Sequence, residues 1–213
     1  MIRSVGVRVN RDERWRTFWD KQAGSYDRQM DFWDRRFFAD TRPWICAQAS
    51  GATLEVAIGT GLNLPHYPAD ARLTGVEWSP QMLEQARRRA VRLGRKIDLT
   101  IGDAQALRFA DDEFDTVVCT FSLCAIPDER RAVDEMVRVL RPGGLLLLAD
   151  HVEAAPWYGR LLQRTLEIVT VPSAGEHWRR RPIRHVEALG LPIERHERFK
   201  AGVVERFAAR KPA

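Results

Sequence analysis

The feature that most constrains the fold of this chain is a short apolar run that breaks into a glycine turn. Residues 53–61 read Thr-Leu-Glu-Val-Ala-Ile-Gly-Thr-Gly, with one acid, Glu55, ahead of the turn glycines Gly59 and Gly61. Glycine lets the backbone approach a ligand closely and adopt a positive φ without a Cβ clash. This pattern is typical of the first strand of an α/β nucleotide-binding sheet and of the loop above that strand.

Further motifs follow this turn in order along the chain. A second acid, Glu77, ends the run 73–77, and its two carboxylate oxygens suit the two hydroxyls of a ribose. Then come Gly-Asp-Ala at 102–104, the apolar run 114–120 and Leu-Arg-Pro-Gly-Gly at 140–144. With these motifs at this spacing, the chain resembles the class I S-adenosylmethionine-dependent methyltransferases, closely over residues 20–150 and more loosely over the last 60 residues.

The resemblance implies one α/β domain with a Rossmann-like, seven-stranded, mostly parallel sheet, an antiparallel last strand, helices on both faces and an N-terminal helical lid. The expected divisions are a loose tail (1–12), the helical lid (13–50), the cofactor-binding core (51–152), substrate-side helices (153–190) and a terminal hairpin (191–213). Hydrophobic periodicity and caps predict where the elements lie. The predicted lid helices are 13–22 and 30–49, the strands are 53–58, 72–77, 97–101, 114–120 and 145–149, the later helices are 80–93, 128–140, 157–170 and 176–189, and the hairpin strands are 192–199 and 203–209.

The resemblance also implies which residues bind S-adenosylmethionine. By this resemblance, Glu55 serves the amino-acid end of the cofactor, Glu77 binds the ribose, and Asp103 binds the adenine amino group. The full set of expected cofactor-binding residues is Tyr26, Glu55, Ala57, Gly59, Gly61, Asn63, Glu77, Trp78, Met82, Gly102, Asp103, Ala104, Thr120 and Phe121.

The glycine turn departs from the family pattern at its first position. Ala57 stands where a Gly-x-Gly-x-Gly run over residues 57–61 has its first glycine, and Asn63 stands at the next alternate position. We expect the Ala57 methyl group to push the loop slightly away from the cofactor carboxylate and to weaken its binding.

Candidate residues for the methyl acceptor follow the fifth predicted strand. His151 suits acid/base or positioning work because imidazole titrates near neutral pH, although a purely structural histidine fits the position equally well. Trp157, Tyr158, His177 and Trp178 are expected where the acceptor is enclosed, either as an aromatic cage or as cover for the core.

The charge of the chain bears on which partners it binds. The net charge is +5, but 30 of the 34 basic residues are arginine and their clusters lack interleaved aromatic residues, so a solvated surface is favoured over nucleic-acid binding.

No apolar stretch is long enough for a membrane span, and the N-terminus lacks a signal-peptide core, so we expect a cytoplasmic protein with at most peripheral membrane contact. The three cysteines, 46, 119 and 124, are expected to be free thiols, and the scattered histidines predict no metal site. The oligomeric state is left open.

The expected activity is transfer of a methyl group to a small molecule through a thiol, amine or hydroxyl. Phospholipids and quinone precursors are alternative acceptors, because residues 63–68 and 140–144 resemble that branch, whereas 118–126 and 150–152 are more similar to alkyl-thiol S-methyltransferases. A non-enzymatic scaffold that only binds S-adenosylmethionine also stays open, with Ala57 as its one support. A nucleotide-dependent oxidoreductase is disfavoured because Leu64 stands where Gly-x-Gly-x-x-Gly needs its last glycine.

Overall fold

The first helix begins earlier than predicted. The computed structural model describes residues 11–213, so the first ten residues of the predicted loose tail lie outside the described part. Helix α1 spans Arg11–Gln22, and the prediction of a tail reaching residue 12 is therefore wrong at its last two positions. Acidic residues 12 and 13 in the first turn favour this earlier start, because they lie at the positive end of the helix dipole.

Three more helical segments complete the region before the sheet. They are α2 (Tyr26–Trp33), a π-helical turn (Asp34–Phe38) and α3 (Thr41–Cys46). The predicted helical lid is thus confirmed as helical, although its second part begins four residues earlier than predicted and is broken by the π turn.

In the described part of the chain, seven strands form one sheet in the order β3-β2-β1-β4-β5-β7-β6. Strand β7 is antiparallel to both of its neighbours, and every other pairing is parallel, as predicted. The predicted limits of β2, β3 and β4 are confirmed to the residue. The strands are β1 (Ala52–Val56), β2 (Arg72–Glu77), β3 (Ile97–Ile101), β4 (Phe114–Thr120), β5 (Leu140–His151), β6 (Ile193–Phe199) and β7 (Val204–Arg210).

Helices cover both faces of the sheet and bury two apolar clusters. The later helices are α4 (Pro80–Arg92), α5 (Glu129–Val139), α6 (Trp157–Ala174) and α7 (Pro182–Ala188). One cluster joins α5 and α7 to the sheet through residues such as Met136 and Val186, and the other joins α3 and α4 through Ile45 and Leu83. The predicted N-cap of α4 is confirmed, because the Ser79 hydroxyl accepts a hydrogen bond from the Met82 amide at 3.1 Å.

Two C-terminal elements differ most from the prediction, whereas α6 ends four residues later than predicted and each hairpin strand begins one residue later. Strand β5 is longer than 145–149, because Leu140 already pairs with β4 and the backbone of residues 143 and 144 hydrogen-bonds to Lys211. Helix α7 begins only at Pro182, which suits a first helical turn but not an interior one. The amides of Trp178 and Arg179 instead donate to the Glu167 carboxylate, which holds the preceding segment in a non-helical form.

Candidate active site

The strand order reverses between β1 and β4, and a cavity lies at the carboxyl ends of the strands around this point. In open α/β sheets this is where ligands bind. Of the fourteen residues predicted to bind the cofactor, eleven line this cavity, which we call the crest cavity. They are Tyr26, Ala57, Gly59, Glu77, Trp78, Met82, Gly102, Asp103, Ala104, Thr120 and Phe121.

Glu77 connects the end of β2 to the glycine turn. Its carboxylate accepts hydrogen bonds from the Gly59 amide at 2.8 Å and from the Ser79 amide at 2.9 Å. Burial raises the pKa of Glu77, against the lowering effect of these backbone donors. Since a carboxylate has about four acceptor positions, Glu77 keeps acceptor capacity for hydroxyl groups in the cavity.

The three predicted residues that do not line the crest cavity are Glu55, Gly61 and Asn63, which lie behind the loop. The Asn63 amide donates to Glu55 at 2.8 Å and to Thr120 at 2.9 Å, and the Tyr67 hydroxyl donates to the other Glu55 oxygen at 2.9 Å. Burial raises the pKa of Glu55 to about 7, although the hydrogen bonds from Tyr67 and Asn63 oppose this rise. Glu55 therefore braces the loop through its neighbours.

Ala57 begins the turn in a backbone conformation that alanine rarely adopts. Its φ is 55°, in the left-handed region, where a Cβ atom costs about 1–2 kcal/mol. Gly59 and Gly61 also have positive φ values, of 59° and 80°. Apart from the two residues adjacent in the chain, no atom of residues 11–213 lies within 4 Å of the place where a Gly59 side chain would begin, so the loop leaves open space at the cavity. This opening and the acceptor positions of Glu77 fit a nucleoside cofactor.

The helical lid is tied directly to the crest cavity. Asp20 of α1 accepts a hydrogen bond from the Ser79 hydroxyl at 2.5 Å. Asp27 of α2 accepts one from the Thr60 hydroxyl at 2.6 Å and forms an ion pair with Arg89. These contacts place the lid over the glycine turn and over the start of α4.

A second cavity lies under the lid and shares Trp19, Tyr26 and Phe121 with the crest cavity. We call it the aromatic cavity. Its remaining walls are mostly apolar, and its polar members include His151, the last residue of β5, and Glu176, which follows α6. These walls are Phe18, Gln22, Gln29, Met30, Trp33, Phe37, Phe38, His151, Glu176, Trp178, Val203 and Val204.

His151 is the buried imidazole of the aromatic cavity. Its ring stacks on Trp178 with centroids 4.2 Å apart, and neither ring nitrogen makes a hydrogen bond of normal geometry within the described residues. The Glu176 carboxylate lies 3.5 Å from Nε2. Burial alone would lower the pKa of His151, but the interactions with Glu176 and Asp150 outweigh it and raise the pKa.

A methyltransferase domain model matches residues 54–148, which contain the glycine turn and the strands around the crest cavity. The chain is 41% identical over 103 residues to a phosphatidylethanolamine N-methyltransferase of Cereibacter sphaeroides, covering 47% of this chain and 51% of the relative. It is 33% identical over 131 residues to a thiol S-methyltransferase of Homo sapiens, covering 59% of this chain and 53% of the relative. A demethylmenaquinone methyltransferase of Renibacterium salmoninarum is 35% identical over 164 residues, which make up 70% of this chain and 66% of the relative. The chain belongs to the S-adenosylmethionine-dependent methyltransferases.

The fold agrees with this assignment. A solved structure from Thermotoga maritima, described as a methyltransferase dependent on S-adenosylmethionine and a possible histamine N-methyltransferase, superposes with a TM-score of 0.68. At 20% identity, the match covers 92% of this chain and 99% of that one. The chain spans about half the length of the phosphatidylethanolamine and thiol methyltransferases described above.

Not all of the predicted acceptor residues of this methyltransferase come together. Trp178 and His151 line the aromatic cavity, but Trp157 and Tyr158 are exposed on the outer side of α6 and line neither cavity described above. His177 points instead to a separate polar depression with Arg179 and its neighbours.

The sequence-based prediction missed several residues of the site. Trp19, Thr60 and Ser122 line the crest cavity, and Glu176 lines the aromatic cavity. Arg42 lines the crest cavity as well, and its guanidinium donates to Asp34 at 3.0 Å and to Asn63 at 3.0 Å. The signal that could have revealed Arg42 is its position in a short helix that is mostly apolar, because a buried charge needs partners.

Arg180 is a further missed residue, which positions the loop after β4. Its guanidinium donates to the backbone carbonyls of Leu123, Ile126 and Pro127 and pairs with Glu129. Since the loop carries residues 121–127, most of which line the crest cavity, Arg180 holds that wall from outside.

The structure also brings together three potential metal-binding groups that are distant in sequence. Donor atoms of Cys124, His151 and Glu176 all lie within 4.8 Å of one another. Burial raises the pKa of the Cys124 thiol well above its ordinary value, which favours the neutral thiol over the thiolate that a metal prefers. The absence of a metal site stays a prediction.

Proposed function

We propose that this methyltransferase transfers a methyl group from S-adenosylmethionine to an apolar small molecule bound in the aromatic cavity. The observation that carries the proposal is the shared wall of Trp19, Tyr26 and Phe121 between the two cavities. A cofactor in the crest cavity and an acceptor in the aromatic cavity would meet at this wall. The lid and the apolar walls exclude water, and such orientation can contribute about 7–11 kcal/mol to catalysis.

In the crest cavity, we assign the ribose to the free acceptor positions of Glu77 and the adenine amino group to Asp103. Trp78 and Met82 pack beside the nucleoside, and Ala104 lies beside Asp103 in the cavity wall. Thr120 and Phe121 line the path toward the aromatic cavity. Gly59 leaves the backbone open toward the amino-acid end, while Glu55 and Asn63 support the loop from behind.

We assign His151 as the base that removes the acceptor's proton. Bound S-adenosylmethionine supplies an electrophilic methyl group on a sulfonium, and a thiol or hydroxyl acceptor must lose its proton to attack that carbon efficiently. A ring nitrogen of His151 takes this proton, and the Glu176 carboxylate stabilises the imidazolium that forms. With the cofactor bound, the acceptor atom would form its new bond to the methyl carbon as the sulfonium bond breaks, with S-adenosylhomocysteine as the leaving group.

The base favours a thiol or hydroxyl acceptor over an amine that is already neutral. A thiol acceptor would parallel the human relative, which is named for thiol S-methylation. A phospholipid amine would parallel the bacterial relative, and the aromatic cavity, with Trp178 beside Glu176, could also surround a cationic amine. A quinone precursor would fit the flat aromatic walls. If the protein were a scaffold that only binds S-adenosylmethionine, it would transfer a methyl group to none of these acceptors.

A transfer assay with methyl-labelled S-adenosylmethionine tests the proposal. The acceptors are an alkyl thiol, a phenol and a primary amine, with intact-mass detection of each product. We expect transfer to the thiol or the phenol. Transfer to the amine alone would contradict the role of His151, and the absence of transfer to any acceptor would contradict the proposed activity.

The pH profile of the same assay tests His151 separately. The base works only when neutral, and its pKa is raised, so kcat/KM should increase with pH through a pKa above the ordinary value of about 6.5. His151→Asn should remove this limb and lower kcat by about 10²–10⁴-fold. His185→Asn is the matched control, because His185 pairs with Asp134 on the surface and lines neither the crest nor the aromatic cavity. A chelator should leave the wild-type rate unchanged.

A further inference from the structure

The outer face of α6 is apolar and uncovered. Of the thirteen large apolar side chains that are exposed in the described residues, seven belong to this one helix. Trp157 is 70% exposed, Ile168 73% and Val169 68%. The other four are Tyr158, Leu161, Leu162 and Leu166. Such a concentration on one surface is unusual for a chain that meets only water.

These side chains form one continuous face. At about 100° per residue, all seven fall within one half of the helix circumference, and this half contains no charged residue. The three charged residues of α6, Arg160, Arg164 and Glu167, all lie in the other half. We call the apolar half the α6 face.

The contacts of the inner half hold the α6 face outward. The Gln163 side chain is buried, accepts a hydrogen bond from the Ala154 amide at 2.8 Å and donates to the Val152 carbonyl at 2.9 Å. Glu167 is tied to Arg179 at 2.7 Å. The helix therefore turns polar groups toward the protein and apolar groups away from it, which reverses the usual arrangement of a surface helix.

Charge and aromatic residues at the border of this face match an anionic lipid surface. Arg164 lies next to the apolar half and Arg160 follows it around the helix, and within residues 11–213 neither forms an ion pair with a carboxylate. Trp157 and Tyr158 make an edge-to-face pair at the first turn, with centroids 6.0 Å apart. Tryptophan and tyrosine favour the level of lipid headgroups, and nearby arginines are attracted by anionic lipids.

Within the described residues, no helix is both long and apolar enough to cross a bilayer. A helix with one apolar half and a basic border lies in the interface plane instead. We propose that α6 docks this protein on an anionic membrane surface, with the α6 face among the headgroups. The proposal concerns where the protein works and does not depend on the acceptor's chemistry.

The location of α6 gives this docking a use. The residues directly after α6 include Glu176 and Trp178, which line the aromatic cavity. Helix α1 packs against α6 and contributes Phe18 and Trp19 to the same cavity. An apolar acceptor that partitions into the membrane would thus be concentrated next to the cavity that receives it.

Vesicle co-sedimentation of the full chain tests the docking. The probes are vesicles of phosphatidylcholine alone and of phosphatidylcholine mixed with phosphatidylglycerol, each at low and high salt. We expect binding to the mixed vesicles, with weaker binding to phosphatidylcholine alone and a decrease with salt. The double variant Leu161→Gln/Ile168→Gln should reduce the partition coefficient by more than about tenfold, because two apolar side chains no longer gain from burial among the lipids.

The control is Val91→Gln/Leu93→Gln, which removes two exposed apolar side chains at the end of α4 and should leave vesicle binding unchanged. Absence of wild-type binding to mixed vesicles would overturn the proposal. A second result would also overturn it. If vesicle binding is absent and sedimentation velocity shows a wild-type dimer that the α6 variant does not form, the α6 face joins two copies of the chain instead. Methyl transfer to a water-soluble acceptor should be the same in the α6 variant and the wild type, which separates this test from that of the proposed function.

Discussion

Individual side chains around the crest cavity divide into those that face a ligand and those that hold the loop. Glu77 does both, because it lines the cavity and accepts two backbone amides. Glu55 only supports the loop, through its hydrogen bonds with Asn63 and Tyr67. The sequence placed both acids at strand ends, but it could not distinguish these roles, since they depend on hydrogen-bond partners elsewhere in the chain.

Ala57→Gly should increase stability. Ala57 has a φ of 55°, and glycine adopts this conformation without strain. We expect the free energy of unfolding in urea to rise by about 1 kcal/mol. The control is Ala188→Gly at the last residue of helix α7, where glycine relieves no strained φ and should cost at most about 0.5 kcal/mol. A loss of stability in Ala57→Gly similar to that of the control would contradict the strained conformation.

Glu55→Gln should change how stability depends on pH. The pKa of Glu55 is about 7 in the folded protein and ordinarily about 4.5, so the folded state keeps a proton that the unfolded chain releases. This contribution is full below about pH 4.5 and is lost as the pH rises to about 7. In urea unfolding, wild type should therefore lose stability relative to Glu55→Gln over this window.

Glu194→Gln is the control with the opposite sign. Arg210 lowers the pKa of Glu194, so its stabilising contribution is present at neutral pH and is lost as the pH falls below the ordinary value. Parallel stability profiles for wild type and Glu55→Gln would contradict the buried, protonated state of Glu55.

At the scale of elements, periodicity and caps predicted the central strands well and the peripheral segments less well. Strands β2, β3 and β4 agree to the residue because local patterns of apolar residues bounded by turns define them. The segment before α7 was predicted as helix, but the Glu167 carboxylate captures its amides. Such a tertiary contact has no local sequence signal.

Gly175→Ala should loosen the helical lid. Gly175 ends α6 with a φ of 73°, and a Cβ there would lie 2.6 Å from the Trp15 ring of α1. The control is Gly94→Ala, because Gly94 follows α4 with a φ of 61° and open space around it. Both variants should lose about 1 kcal/mol through the backbone, and Gly175→Ala about 1–3 kcal/mol more through overpacking. Limited proteolysis should then cleave the lid faster in Gly175→Ala alone, and equal cleavage rates would contradict the α1–α6 packing.

At the scale of the whole molecule, the order of motifs predicted the sheet topology and the place of the crest cavity. It did not predict the aromatic cavity, which forms from α1, α2, the π turn and the segment after α6. Those elements meet only in three dimensions, so His151 was identified without its neighbour Glu176. The exposed position of Trp157 and Tyr158 likewise follows from how Gln163 and Glu167 orient α6.

Titration calorimetry with S-adenosylmethionine tests the central claim most directly. We expect one binding site per chain in the wild type and an affinity about 10- to 100-fold weaker in Glu77→Gln, since a hydrogen bond to a charged group contributes about 1.5–3 kcal/mol. Asp98→Asn, at an exposed position on edge strand β3, should bind like the wild type. No binding to the wild type, or equal affinity in a folded Glu77→Gln variant, would contradict the account.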